Sequence, residues 1–145
     1  MTNIKAIAGL LAVAVVVVGV VAFAAAQASA SSAPIVITYE KTCDTPIHCA
    51  GTTAGGGTFE MWVDVTSFRA TGNAAHFTAT ESVTEGDISF TAEMSATGSP
   101  AGFVVLNGTV TSGSFAGAEI HQRSNLVDPV TSFWRGELRL MSASG

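Results

Sequence analysis

The chain has 145 residues, two cysteines and few charged side chains, with Lys+Arg 6 against Asp+Glu 11, while 48% of its residues are apolar. This composition excludes an intrinsically disordered chain, and the length excludes a TIM barrel or a complete dinucleotide-binding enzyme. Beyond residue 30, five basic side chains face eleven acidic ones, a formal charge of −6, so no basic patch exists and we expect no nucleic-acid partner.

The first thirty residues have the order of an export signal. Lys5 is the last charged residue before Glu40, a long run rich in Ala and Val follows it, and Gln27-Ala28-Ser29-Ala30 ends the segment with small residues. We therefore predict a signal peptide over 1–30, cleaved after Ala30, and one secreted, extracellular domain over 31–145. The alternative is an uncleaved anchor at the cell surface, because the apolar run is long enough to span a bilayer as a helix of about 20 residues. Only in that case would the membrane be a partner.

Cys43 and Cys49 are the two cysteines, and in an exported protein they predict a disulfide that closes a seven-residue loop. The alternative is a metal site formed by both cysteines with His48 and Asp44. Because the spacing fits no standard zinc pattern, we predict the disulfide, with no metal and no cofactor. We expect the disulfide-closed loop to hold an irregular segment in place beside the first strand.

Apolar residues recur at every second position through most of the remaining chain, which is typical of half-buried β-strands. The residues expected to face the core are Ile35, Ile37, Tyr39, Phe59, Met61, Val63, Val65, Phe77, Ala79, Val83, Ile88, Phe90, Ala92, Met94, Ala96, Val104, Leu106, Val110, Ala116, Ala118, Ile120, Trp134, Leu138 and Leu140. We also expect Trp62 to be a core residue, although an exposed tryptophan there would instead be able to stack on a sugar ring.

Turn-forming residues separate these runs at intervals of 10 to 16 residues. They are Gly55-Gly56-Gly57, Thr71-Gly72-Asn73, Glu85-Gly86-Asp87, Gly98 to Gly102, Ser112-Gly113-Ser114 and Asp128-Pro129. About seven strands joined in this way predict an all-β antiparallel meander. An open sheet would expose its edges, so we expect closure into a small up-and-down barrel, with a β-sandwich as the alternative.

The run from Thr111 to Ala118 resembles a turn-and-strand motif, G-T-G-x-F-x-G-A, of dirigent-like and allene-oxide-cyclase-like secreted β-barrels. The resemblance covers Asn107 to Leu140, and Thr111 or Ser112 replaces the first glycine of the motif. It implies a barrel with an apolar interior in which Phe115 plugs one end. It transfers no catalytic residue to this chain.

The last two predicted strands carry a set of charged residues on one face: Glu119, His121, Arg123, Arg135, Glu137 and Arg139. A turn at Asp128-Pro129 would set His121 opposite Glu137, an arrangement that suits a general base and its orienting acid. Because the opposite face is apolar, we expect these charges to point outward and to form cross-strand pairs. His121, Arg135 and Glu137 remain the candidate ligand-binding residues, and we predict no catalytic residue.

Glu81, Glu85 and Asp87 surround a turn, so we expect solvated carboxylates there and not a pair of glycosidase acids. These observations favour a secreted, non-catalytic binding or surface-structural module that holds a small apolar ligand. The alternatives are a barrel enzyme of the cyclase or dirigent type, which the family resemblance implies, and a membrane-tethered surface or filament subunit.

Overall fold

The computed structural model describes residues 33–141, which form a closed antiparallel β-barrel of eight strands. The strands are β1 (Ile35–Thr45), β2 (His48–Thr53), β3 (Thr58–Thr71), β4 (Ala74–Glu85), β5 (Ile88–Ser99), β6 (Phe103–Gly113), β7 (Glu119–Asp128) and β8 (Phe133–Leu140). The predicted all-β up-and-down barrel is confirmed, and the sandwich alternative is wrong.

Each strand pairs with the next along the chain, and β8 pairs back with β1, as in the pairs Ile35↔Leu140 and Thr42↔Phe133. This closure satisfies the backbone donors and acceptors that the two outer strands of a meander would leave exposed. The barrel therefore has two ends, each formed by alternate turns. We call the end formed by residues 46–47, 72–73, 100–102 and 129–132 the mouth.

Each predicted turn overlaps or adjoins a connection between strands, and two of them show why glycine is needed. The β3–β4 and β4–β5 connections each have two residues, with Gly72 and Gly86 in the first position. Both glycines have φ of 57°, a left-handed conformation that costs other residues energy and that matches the twist of a two-residue hairpin.

The two-residue periodicity fixes which side chains fill the barrel. The buried apolar residues are Ile37, Tyr39, Cys49, Phe59, Met61, Ala79, Val83, Phe90, Ala92, Met94, Ala96, Leu106, Val110, Ala118, Ile120, Leu138 and Leu140. Most of them were predicted to face the core. Val65 was also predicted to face the core, but it is 61% exposed. The β3–β4 register shifts between Asp64 and Arg69, and this shift ends the strict alternation of the strand.

The predicted disulfide joins Cys43 to Cys49. The segment around it was expected to be irregular, but it is the β1–β2 hairpin, with one shift of register between Cys43 and Thr45. Cys43 lies directly opposite Cys49 in the β1–β2 ladder, so the bridge crosses a hairpin. The β2 strand is short and rich in Gly and Thr, which explains why about seven strands were predicted where eight exist.

The resemblance also implied that Phe115 plugs one end of the barrel, and this is wrong. Phe115 is 47% exposed and has φ of 63° in the loop between β6 and β7. Ala116, predicted to be a core residue, is exposed in the same loop. Ala118, immediately before β7 begins, is the buried apolar residue of this loop.

The predicted signal peptide or anchor over 1–30 lies outside the described residues. Among residues 33–141, no helix has the length and apolar character needed to cross a membrane.

Candidate ligand-binding site

A cavity of about 480 Å³ lies inside the barrel beneath the mouth. Its walls are mainly apolar and include Val63, Phe77, Val104 and the half-buried Trp134. Residues of three mouth turns, Pro46, Asn73 and Pro100 among them, form its rim. A cavity of this size and character is typical of sites for small, mainly apolar molecules.

Lys41, Met61, Leu106 and Ser124 form the inner surface of the cavity, which we call the floor. Lys41 is 4% exposed. Its Nζ lies 3.5 Å from Met61 Sδ and 5.2 Å from the centre of the Phe59 ring. Burial lowers the pKa of the Lys41 amine, and the charge of Glu81 partly offsets this effect.

Three buried polar side chains form a hydrogen-bonded row across the interior beside the floor. Gln122 Nε2 donates to the Tyr39 hydroxyl, which lies 2.8 Å from Ser124 Oγ. Burial raises the pKa of Tyr39, and nearby Glu81 raises it further, so the hydroxyl keeps its proton. Gly136 makes room for this arrangement, because a Cβ there would collide with the Tyr39 ring and hydroxyl.

Glu81 lies inside the barrel with no exposed surface. Neither carboxylate oxygen is hydrogen-bonded within residues 33–141. Burial raises the pKa of Glu81 to about 7, although the charge of Lys41 and the nearby Gln122 amide both act to lower it. The expectation that Glu81 is solvated is therefore wrong. β4 continues as a regular strand to Glu85, so position 81 keeps the inward direction of Ala79 and Val83.

The three candidate residues predicted from the last hairpin lie on the outer face of the barrel. His121 Nδ1 is 2.6 Å from Asn107 Oδ1, Arg135 Nε donates to Glu40 Oε1 at 2.7 Å, and Glu137 Oε1 accepts from Arg139 at 2.7 Å. His121 and Glu137 border the same surface pocket, whereas Arg135 does not line it. None of these three lines the cavity beneath the mouth.

The predicted hairpin register is wrong by two residues. His121 pairs with Arg139, and Glu137 pairs with Arg123. The loop occupies residues 129–132 and the register shifts between Leu126 and Asp128, so the turn is centred later in the chain than Asp128-Pro129 suggests. The predicted opposition of His121 and Glu137 is therefore absent.

The second histidine considered in the sequence, His48, lies on the outside of the β1–β2 hairpin. Its Nδ1 is 2.8 Å from Asp44 Oδ1 and its Nε2 is 2.9 Å from Glu60 Oε1. The hydrogen bond to Glu60, then that to Asp44, raises the pKa of His48. Its ring also contacts Trp62, with centroids 4.1 Å apart. Trp62 is 52% exposed, so its predicted place in the core is wrong.

Lys41, Glu81, Gln122 and Ser124 were missed by the sequence-based choice of site residues. The signal was present, because Lys41 continues the inward series Ile35, Ile37 and Tyr39, and Glu81 lies between the inward Ala79 and Val83. A polar residue at an inward position of a strand indicates a buried polar group that needs a partner.

The chain matches no known family model, no curated protein and no solved structure.

Proposed function

We propose that this chain is a secreted, non-catalytic binding module that holds one small, mainly apolar ligand in the cavity beneath the mouth. The observation that carries the proposal is the cavity itself, about 480 Å³ of mainly apolar space reached through the mouth turns. Burying a ligand against these walls releases water from apolar surface on both partners, which favours binding.

Titration with the neutral fluorescent probe N-phenyl-1-naphthylamine tests this proposal. Gly98 faces the cavity, and a Cβ there would only make an ordinary 3.5 Å contact with Val104. We expect saturable probe binding to the wild type and its loss in Gly98→Phe, because the larger side chain occupies the ligand's space. Ser95→Phe, on the exposed outer face of the same strand, is the matched control and keeps binding. Absence of saturable binding, or equal binding by both variants, contradicts the proposal.

Export is supported by the signal-like order of residues 1–30 and by the Cys43–Cys49 bridge, since disulfides persist mainly in oxidising compartments. N-terminal sequencing of the exported protein tests this part. A mature protein that begins at Ser31 supports secretion, whereas a retained first segment supports the tethered alternative.

A barrel enzyme of the cyclase or dirigent type is the second candidate. The observation that favours it is the group of buried polar side chains beside the cavity, with Lys41 and Ser124 on its floor. Mass analysis of ligands after incubation separates the two functions. A binding module returns each ligand unchanged, whereas an enzyme converts it with turnover that Lys41→Met abolishes.

A further inference from the structure

Among residues 33–141, no strong hydrogen-bond acceptor contacts the Lys41 amine. Its one hydrogen-bonding contact in the described range is the thioether of Met61, which is a weak acceptor. Lys41 forms no ion pair with a carboxylate of residues 33–141. The faces of Tyr39 and Phe59, 5.6 and 5.2 Å from Nζ, attract the cation but accept no conventional hydrogen bond. Within residues 33–141, the buried Lys41 amine therefore has unused donor capacity at the cavity floor.

A second donor faces the same space. Gln122 Nε2 donates to the Tyr39 hydroxyl, which lies 2.8 Å from Ser124 Oγ, and either of these two hydroxyls can donate to the other. Because the Tyr39 oxygen already accepts from Gln122, we infer that Tyr39 donates its proton to Ser124 Oγ. When Gln122 donates to Tyr39 and Tyr39 donates to Ser124, the Ser124 hydroxyl has to donate its own proton to an acceptor outside this row. Ser124 is buried and lines the cavity, so a ligand in the cavity is placed to supply that acceptor. Successive hydrogen bonds in one direction polarise one another and strengthen the last donor.

We propose that the ligand is a small monocarboxylic acid, held with its carboxylate on Lys41 and Ser124 and its apolar body against the cavity walls. This inference rests on the proposed function, and it assigns the polar end of the ligand. A carboxylate supplies acceptors for both donors, and its charge compensates the Lys41 ammonium through a charge-assisted hydrogen bond. The walls at Val63, Phe77, Val104 and Trp134 suit a hydrocarbon or aromatic body.

We expect ligand binding to be coupled to the uptake of a proton by Glu81. Tyr39 and Lys41 from β1 are the titratable groups that act on it, and Gln122 from β7 is the polar neighbour. A bound carboxylate would compete with Glu81 for the charge of Lys41, so Glu81 takes up a proton on binding where it is ionised in the free protein. We expect proton uptake above pH 7 and affinity that falls as the pH rises, because the pKa of Glu81 is about 7.

The test compares decanoate, 1-decanol and decylamine as competitors of N-phenyl-1-naphthylamine at pH 6. The three ligands each have ten carbon atoms in an unbranched chain and differ in the head group. We expect wild type to prefer decanoate over 1-decanol by about tenfold or more, and to bind decylamine most weakly. Lys41→Met should lose this preference and still bind 1-decanol, whereas the outer-face control Arg135→Met should keep it.

Each outcome supports or overturns the assignment. Equal affinity for decanoate and 1-decanol in the wild type overturns it and leaves the proposed function standing, whereas absence of binding by the probe and all three ligands overturns both. A preference that survives Lys41→Met also overturns it. If Lys41→Met does not fold, the test is calorimetry of the wild type with decanoate at pH 8. Titrations in two buffers of different ionisation enthalpy give the number of protons taken up on binding. Proton uptake supports the assignment, and its absence contradicts it.

Discussion

Tyr39 stacks on Phe59 inside the barrel, with ring centroids 4.2 Å apart and ring planes within 9° of each other. Lys41 lies against the same two rings, so its ammonium contacts aromatic faces where an exposed lysine would contact water. Attraction between a cation and an aromatic ring offsets part of the cost of burying the charge. This relationship joins the packed interior to the floor of the cavity and explains why a lysine is accommodated there.

We expect Tyr39→Phe to lower the free energy of unfolding by about 1–3 kcal/mol, because Gln122 Nε2 and Ser124 Oγ would lose their shared partner in a buried environment. Urea unfolding measures the change. Ser82→Ala is the control, since it removes an exposed hydroxyl on the outer face, with an expected effect of less than about 0.5 kcal/mol. Equal effects of the two substitutions would show that the interior row adds nothing to stability.

The double variant Cys43→Ala, Cys49→Ala should be less stable by about 2.4 kcal/mol, the chain entropy lost on closing a seven-residue loop in the unfolded state. Urea unfolding with and without a reducing agent checks this value. Reduction should destabilise the wild type by a similar amount and leave the double variant unchanged. A wild type that is insensitive to reduction would contradict the prediction.

Glu81 should make the protein more stable in mild acid than at neutral pH. The pKa of Glu81 is raised from 4.5 to about 7 in the folded protein, so the folded state holds a proton that the unfolded chain releases. The resulting stabilisation is fully present below pH 4.5 and is lost as the pH rises through about 7. Urea unfolding at pH 5 and pH 8 measures it.

Glu81→Gln removes this dependence, and its stability relative to the wild type should therefore increase between pH 5 and pH 8. Glu93→Gln makes the same charge change on the exposed outer face of the neighbouring strand. The contribution of His48 is common to all three proteins and cancels in the comparison. If the free energy of unfolding changes with pH in the same way for the wild type and Glu81→Gln, Glu81 is ionised equally in the folded and unfolded states, which contradicts the prediction.

NMR titration should give His48 a pKa above its ordinary value of 6.5, because Glu60 and Asp44 both hydrogen-bond the imidazolium. The same contact should lower the pKa of Asp44. Asp44→Asn should lower the pKa of His48, whereas Asp87→Asn, in the turn between β4 and β5, should leave it unchanged. A pKa at or below 6.5 in the wild type would contradict the geometry of this cluster.

The two tryptophans allow ligand entry to be followed by fluorescence. Trp134 lines the cavity and Trp62 lies on the outer surface against His48. We expect decanoate to change the emission of the wild type and of Trp62→Phe and to leave that of Trp134→Phe unchanged. A response that follows Trp62 would place the ligand outside the barrel.

Local information determined most of the architecture. The alternation along Ile88–Ser99 assigned Phe90, Ala92, Met94 and Ala96 to the interior, because successive side chains of a strand point to opposite faces. Glycine at the first position of two-residue turns marked the hairpins at Gly72 and Gly86. The short spacing of the two cysteines, together with the predicted export signal, predicted the disulfide.

The same local information failed where the pairing between two strands decides the outcome. The register of β7 against β8 depends on the length and position of the loop at 129–132, and a shift of two residues leaves every side chain on its predicted face while changing its partner. His121 therefore lies opposite Arg139 instead of Glu137, and periodicity has no means of detecting this.

The sequence by itself determined that most of the strands between Ile35 and Leu140 have one apolar face, because two-residue periodicity is a property of the local backbone. Only the tertiary structure decided that Lys41, Glu81 and Ser124 share one interior, since they belong to three strands and meet only when β8 pairs back with β1. Whether an inward polar side chain is wetted or buried depends on that closure, which removes water from groups that lie far apart in the chain.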